Sequence, residues 1–200
     1  MSFKTIINLF IAIVSIFIFI PTLFIPTFSS QQYINSTKDA QQDSLYKFEV
    51  NNNEFVWPTP GYTRINSYFG KRSSPTKGAS SFHQGIDIGA PQGSILVAVA
   101  SSCVSSLGFQ GSGGYSIILK ANNLQFIYHH VDPNYIIKIN DVVKAGQIIG
   151  KVGPKNVYDV PNNPYKDSYG KPTNGATTGS HLHLTIKKDG QAVNPLDYFK

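Results

Sequence analysis

Cysteine is almost absent: Cys103 is the only one in 200 residues. No internal disulfide can form, so stability has to come from packing or from a bound metal. Cys103 sits in ILVAVASSCVSSL, where a strand would use a thiol as a small apolar filler, and no helix start or charged neighbour is there to lower its pKa for a nucleophilic role. The helix formers Leu, Ala, Glu and Met are sparse, while Ile, Val, Tyr and Phe are abundant, which excludes a helical bundle and points to a mainly β chain. Proline and glycine, at 12 and 17 residues, are too few for a collagenous or wholly disordered polymer. No internal repeat is visible. Charge blocks are missing as well, the longest basic runs being Lys71-Arg72 and Lys187-Lys188. The formal net charge of +6 favours anionic partners, but its scatter reads as a solvated surface.

What is present divides the chain into three parts. Residues 1–29 carry one early positive charge, Lys4, and then an almost unbroken apolar run from Ile6 to Phe28. That run reads as a secretory signal peptide or as an N-terminal membrane anchor; Pro21 and Pro26 would kink or shorten a spanning helix. Either way the remainder lies outside the cytoplasm, secreted or held at the outer face of the membrane, and nucleic acid becomes the weakest of the anionic partners. Residues 30–54 are polar, amide-rich and without periodicity, so they read as a linker. Residues 55–200 form one domain in which short apolar runs alternate with turn signals, as in antiparallel all-β chains.

The periodicity predicts strands over residues 94–99, 103–107, 116–120, 125–131, 147–152 and 181–187, with a short one near Ala192. Turn residues separate them: Gly111 to Gly114, Ala121-Asn122-Asn123, and Lys188-Asp189-Gly190. GSGG lacks the following Lys and helix of a phosphate cradle and reads as a β-turn. Residues 154–176 (PKNVYDVPNNPYKDSYGKPTNGA) break this rhythm and predict a long loop, of a length that usually serves binding or gating.

The five histidines fall into three clusters: His83 in FHQGIDIGA, His129 and His130 in FIYHHVD, and His181 and His183 in GSHLHLTIKK. In HLHLTI a period of two puts His181, His183 and Thr185 on one face and Leu182, Leu184 and Ile186 on the other. His83 and Asp87, four apart, share one side of a helix or of a tight turn, and Gly85 with Ile86 and Ile88 favours a turn leading into a strand. Taken singly, each pair fits incidental surface histidines equally well. Together they offer two imidazoles and a carboxylate, the donor set of a catalytic zinc that keeps a fourth position open.

WPTPGYTRINSYFGKR, HQGIDIGA with its HxxxD spacing, the YxH element Tyr128-His129-His130, VKAGQIIG, and TTGSHLHL followed by NPLDY occur in that order. This series resembles the lysostaphin/LytM-type zinc endopeptidases over about Trp57 to Tyr198. The resemblance implies an antiparallel β-sheet groove closed by loops, with His83, Asp87 and His183 as ligands of one Zn2+ and His130 and His181 as the catalytic pair. It implies attack of metal-bound water on an amide of peptidoglycan peptides. The YxH spacing selects His130 and leaves His129 as a bystander, since neighbouring strand residues face opposite ways. Two departures stand out: ASSCV replaces a usual Gly turn, and residues 154–176 lengthen a commonly short connection. Tyr158, Tyr165 and Tyr169 of that loop pack on a peptide or, more simply, on the sheet. A catalytically silent scaffold or regulator of an envelope complex is the alternative function, and a wall-binding module, for which the positive charge alone speaks, is a third.

Overall fold

The computed structural model describes residues 55–199, so the leader (1–29) and linker (30–54) expected from the sequence lie outside the described residues. Among the described residues no helix is long and apolar enough to cross a membrane, and the only helical pieces are 3-10 turns at Gly111–Gly113 and Pro195–Tyr198. The described residues form twelve strands: β1 (Ile65–Ser67), β2 (Gly70–Lys71), β3 (Phe82–His83), β4 (Ile86–Ile88), β5 (Ile95–Val97), β6 (Ser102–Phe109), β7 (Tyr115–Ala121), β8 (Leu124–His129), β9 (Val142–Val143), β10 (Ile148–Lys151), β11 (Leu182–Lys188) and β12 (Gln191–Val193). The main sheet runs β1-β4-β11-β8-β7-β6-β9, with β12 added to β11, and every pairing in it is antiparallel. Small sheets β10-β5 and β2-β3 stand apart from it.

Alternation along the central strands explains why one face is core and the other is a site. Leu182, Leu184 and Ile186 of β11, Phe126 and Tyr128 of β8, and Ile117 and Leu119 of β7 are fully buried on the same side, against Leu96 and Ile149 of the β10-β5 sheet. Each such side chain contributes about 1.5–3 kcal/mol by leaving water. The Tyr128 hydroxyl finds partners in the core, donating to Val97 O (3.1 Å) and accepting from Val99 N (2.7 Å), which ties the main sheet to the segment after β5.

Strand ends differ from expectation where tertiary bonds take over. His181 precedes β11 rather than starting it, because its ring nitrogen Nδ1 turns back to Gly179 O (2.9 Å). β8 stops at His129 instead of continuing to Val131, because His130 adopts a left-handed φ of 59°. Loop 154–176 is held by its own polar groups: Asp167 accepts from the backbone N–H of Tyr169 and Lys171 and pairs with Lys155 (3.3 Å), and Asn163 Nδ2 donates to Thr173 O (2.8 Å). That framework uses its tyrosines only through their backbone, and the expected packing of their side chains fails for most of them. Tyr158 and Tyr169 are exposed, and only Tyr165 is partly covered.

Candidate metal centre

On the face opposite the core, the register lines up polar side chains across four strands. Ser67 pairs with Asp87, Asp87 with His183, and His183 with His129. Side chains at paired positions of an antiparallel sheet are nearest neighbours, so Asp87 and His183 meet although 96 residues separate them. His83 joins from β3 through the Gln84-Gly85 turn. A Cβ on Gly85 would run into the Leu184 carbonyl of β11, so only glycine lets this turn lie close enough to bring His83 over the sheet.

Three donor atoms converge. His83 Nε2 lies 3.1 Å from Asp87 Oδ1 and 2.9 Å from His183 Nδ1, and His183 Nδ1 lies 2.8 Å from Asp87 Oδ1. Donors each about 2.0–2.2 Å from one zinc ion are spaced on this scale. The outward atom of every donor has its own partner. His83 Nδ1 donates to Tyr68 O (2.8 Å), which leaves Nε2 as a bare lone pair; His183 Nε2 faces Thr185 Oγ1 (3.0 Å); Arg72 Nη1 donates to Asp87 Oδ2 (2.9 Å) and to Ser67 Oγ (2.6 Å). With His183 Nε2–H given to Thr185, all three converging atoms are acceptors, an arrangement that calls for a cation between them. The donor set therefore fits zinc.

The carboxyl of Asp87 is held far below the usual carboxylate range: burial works to raise it, but the imidazoles of His181, His183 and His83, which approach it to hydrogen-bond distance, outweigh burial. His183 and His130 are pushed down, in both cases chiefly by burial, and for His130 also by the neighbouring imidazoles of His181, His183 and His129. All three groups thus sit in the deprotonated form that metal binding and proton acceptance require.

The donors open into a cleft of about 500 Å³ whose walls also present His129, His130 and His181. The rings of His130 and His181 are 4.8 Å apart. Each gives its Nδ1–H to a backbone carbonyl, His130 to Asn174 (2.6 Å) and His181 to Gly179 (2.9 Å), which leaves both Nε2 atoms unprotonated, that of His181 3.4 Å from Asp87 Oδ1. All five residues singled out by sequence are thus gathered at one cleft.

His129 is gathered there too, against the expectation that it would face away. Alternation holds only while the strand continues, and the left-handed turn at His130 swings the second ring to the side of the first. The His129 ring lies 5.3 Å from that of His183, its Nδ1 is 2.7 Å from Ser116 Oγ, and a Cβ on Gly113 would collide with it. GSGG is a turn, as expected, and its third residue also makes room for this imidazole.

Burial pushes His129 down to about 3, helped by the charges of His183 and Lys187 and opposed by Asp87. An unfolded imidazole titrates near 6.5, so between that value and about 3 the unfolded chain binds a proton that the folded chain refuses. Stability contributed by neutral His129 is complete above 6.5 and is lost as pH falls through this window. The thermal midpoint of metal-free protein is expected to drop steadily from pH 7 to pH 4. His129→Gln should make that slope shallower, and an unchanged slope in scanning calorimetry would contradict the assignment.

Arg72, Ser116 and Asn174 support the site without having been singled out from sequence, whereas the period of two had already placed Thr185 on the face of the histidines. Arg72 lay inside the quoted motif WPTPGYTRINSYFGKR, which carried the signal for it.

Residues 81–195 match the family described as Peptidase family M23. The DD-carboxypeptidase/endopeptidase Mpg of Neisseria meningitidis is 32% identical over 136 residues, covering 68% of this chain and 27% of that protein. The murein hydrolase activator NlpD of Escherichia coli is 28% identical over 144 residues, 71% of this chain and 30% of that one. The chain thus spans under a third of the length of either relative. Among solved structures, the catalytic domain of lysostaphin from Staphylococcus simulans aligns with a TM-score of 0.52 at 25% identity, over 68% of this chain and 90% of that domain. The antiparallel sheet that the resemblance implied is present, in a fold similar to that of this domain.

Proposed function

Because the chain belongs to peptidase family M23, we propose that it is a zinc-dependent endopeptidase that hydrolyses peptide bonds of bacterial cell-wall peptidoglycan. The observation carrying this reading is the convergence of His83 Nε2, Asp87 Oδ1 and His183 Nδ1 in one cleft with the rings of His130 and His181. Zinc bound there supplies Lewis acidity, which polarises a carbonyl and lets water ionise near pH 7.

The chain's own residues do the rest. Arg72, Thr185 and the Tyr68 carbonyl fix the donors from outside, so that the site is organised before substrate arrives. His130 and His181 present unprotonated Nε2 atoms to the cleft. In neutral form they accept the proton of the attacking water; once protonated they donate to the departing amine and steady the negative oxygen of the tetrahedral species. Burial keeps His130 neutral, the form a base needs.

The substrate is a wall peptide, the place of action lies outside the cytoplasm, and the net charge of +6 favours retention among anionic wall polymers. Nucleic acid is not a partner, and membrane contact runs only through the N-terminal segment if it stays uncleaved. Similarity to a murein hydrolase activator favours a second reading, a silent regulator that keeps the fold without the reaction.

Metal analysis and digestion of defined muropeptides separate the two. Purified protein is expected to hold about one zinc, to release new peptide termini, to lose that activity to background with a chelator, and to regain it with equimolar zinc. Fully zinc-loaded protein that leaves every muropeptide intact would overturn the enzyme and favour the regulator.

A further inference from the structure

Asn174 lies in the lengthened 154–176 loop, is fully buried, and directs both its side-chain amide and its carbonyl to the backbone and ring around His130. Where β8 leaves the sheet, His130 N donates to Gly113 O (2.9 Å), His130 O accepts from Gly153 N (2.9 Å), and Val131 N donates to Tyr115 O (2.9 Å). In an antiparallel pair the bond returning to Val131 O would come from Tyr115 N. That return bond is replaced: Tyr115 N donates to Asn174 Oδ1 (2.7 Å), and Asn174 Nδ2 donates to Val131 O (3.0 Å). A primary amide carries an acceptor oxygen and an NH2 donor side by side, so it can stand in for a peptide group between two separated strand ends.

The same residue's backbone then reaches the ring. Asn174 N is anchored on Lys155 O (2.8 Å), and Asn174 O accepts from His130 Nδ1 (2.6 Å). A carbonyl only accepts, so Nδ1 carries the proton and Nε2 is the free nitrogen, on a ring 4.8 Å from that of His181. Two glycines leave the space this needs. A Cβ on Gly114 would strike Asn174 O and Oδ1, and one on Gly153 would strike Val131 O and come within 2.7 Å of Asn174 Nδ2.

We propose that Asn174 is a positioning residue: by bridging Tyr115 and Val131 it holds the left-handed turn at His130, and through its carbonyl it fixes the His130 ring in the Nδ1–H tautomer with Nε2 in the cleft. The inference rests on His130 as a proton-handling group, but its central observable does not require turnover.

Long-range 1H–15N spectra of zinc-loaded, 15N-histidine-labelled protein, with the His130 signal assigned by its loss in His130→Asn, should show His130 as the Nδ1–H tautomer. In Asn174→Ala that signature is expected to give way to a mixture, with kcat lowered about 10–100-fold while KM and zinc content stay as in wild type. Asn174→Asp keeps the acceptor for Tyr115 N and loses the donor for Val131 O, and should fall between the two. An Nε2–H tautomer in wild type, or Asn174→Ala with the wild-type signature and kcat, would overturn the proposal. If Asn174→Ala does not fold, the wild-type spectrum decides the tautomer and Asn174→Asp the kinetics. If no wall peptide is cleaved, the enzyme reading fails while the spectra still judge Asn174.

Discussion

Asp87→Ala is expected to release the zinc and to bring peptide hydrolysis at least about 10³-fold below wild type, as loss of several kcal/mol of transition-state stabilisation requires. Asp87 touches both other ligands, at 3.1 Å from His83 and 2.8 Å from His183. It is also the only negative charge among them. Without it, two neutral imidazoles face one another at 2.9 Å with nothing to offset a divalent ion, and Arg72 brings its cation to the same place with only Ser67 left as partner. The lost charge therefore acts twice, by removing a ligand and by unmasking a repulsive neighbour. Asp87→Asn keeps the shape and loses the charge, so it should also fail to hold zinc, which separates electrostatics from packing. Zinc content and kcat/KM measured on the same preparations check this; full zinc occupancy in Asp87→Ala would show that the donor set lies elsewhere.

Much of this site could be read from local pattern, because local pattern made it. The period of two in HLHLTI alone dictates that His183 shares a face with Thr185 and that Leu182, Leu184 and Ile186 form core. The HxxxD spacing suited a helix or a tight turn, and Gly85 with Ile86 and Ile88 pointed to the turn. What stayed hidden has two physical origins. β1, β2, β3 and β9 are two or three residues long, too short to display any period, and are strands only because neighbours pair with them. Arg72 and Asn174 act across 15 and 44 residues, and no local rule tells a surface arginine from one that grips a ligand, or a loop asparagine from one that completes a sheet. The tyrosines of residues 154–176 failed as an expectation for a related reason: loop order came from Asp167, Asn156 and Asn163, whose amide and carboxylate bonds leave aromatic packing unnecessary.

His129 and His130 pose the sharpest test, since both rings reach the cleft and strand alternation no longer separates them. Their tethers do. His130 gives Nδ1–H to a backbone carbonyl and keeps Nε2 beside His181, whereas His129 is bound at Nδ1 to Ser116 and packed over Gly113 behind His183. His130→Asn is the informative change. Asparagine tolerates the left-handed φ of 59° that would strain alanine, and its amide can still donate to Asn174 O, so only the Nε2 edge is lost. That variant is expected to keep its zinc and its thermal midpoint at neutral pH while kcat falls about 10²–10⁴-fold, the range of a lost general acid or base. His129→Gln should keep hydrolysis within about tenfold of wild type, in line with a residue that supports a ligand from behind. If muropeptide digestion instead survives in His130→Asn and vanishes in zinc-loaded His129→Gln, the proton carrier is the residue on the strand and not the one at its end. The YxH spacing would then have pointed one position too far along the chain.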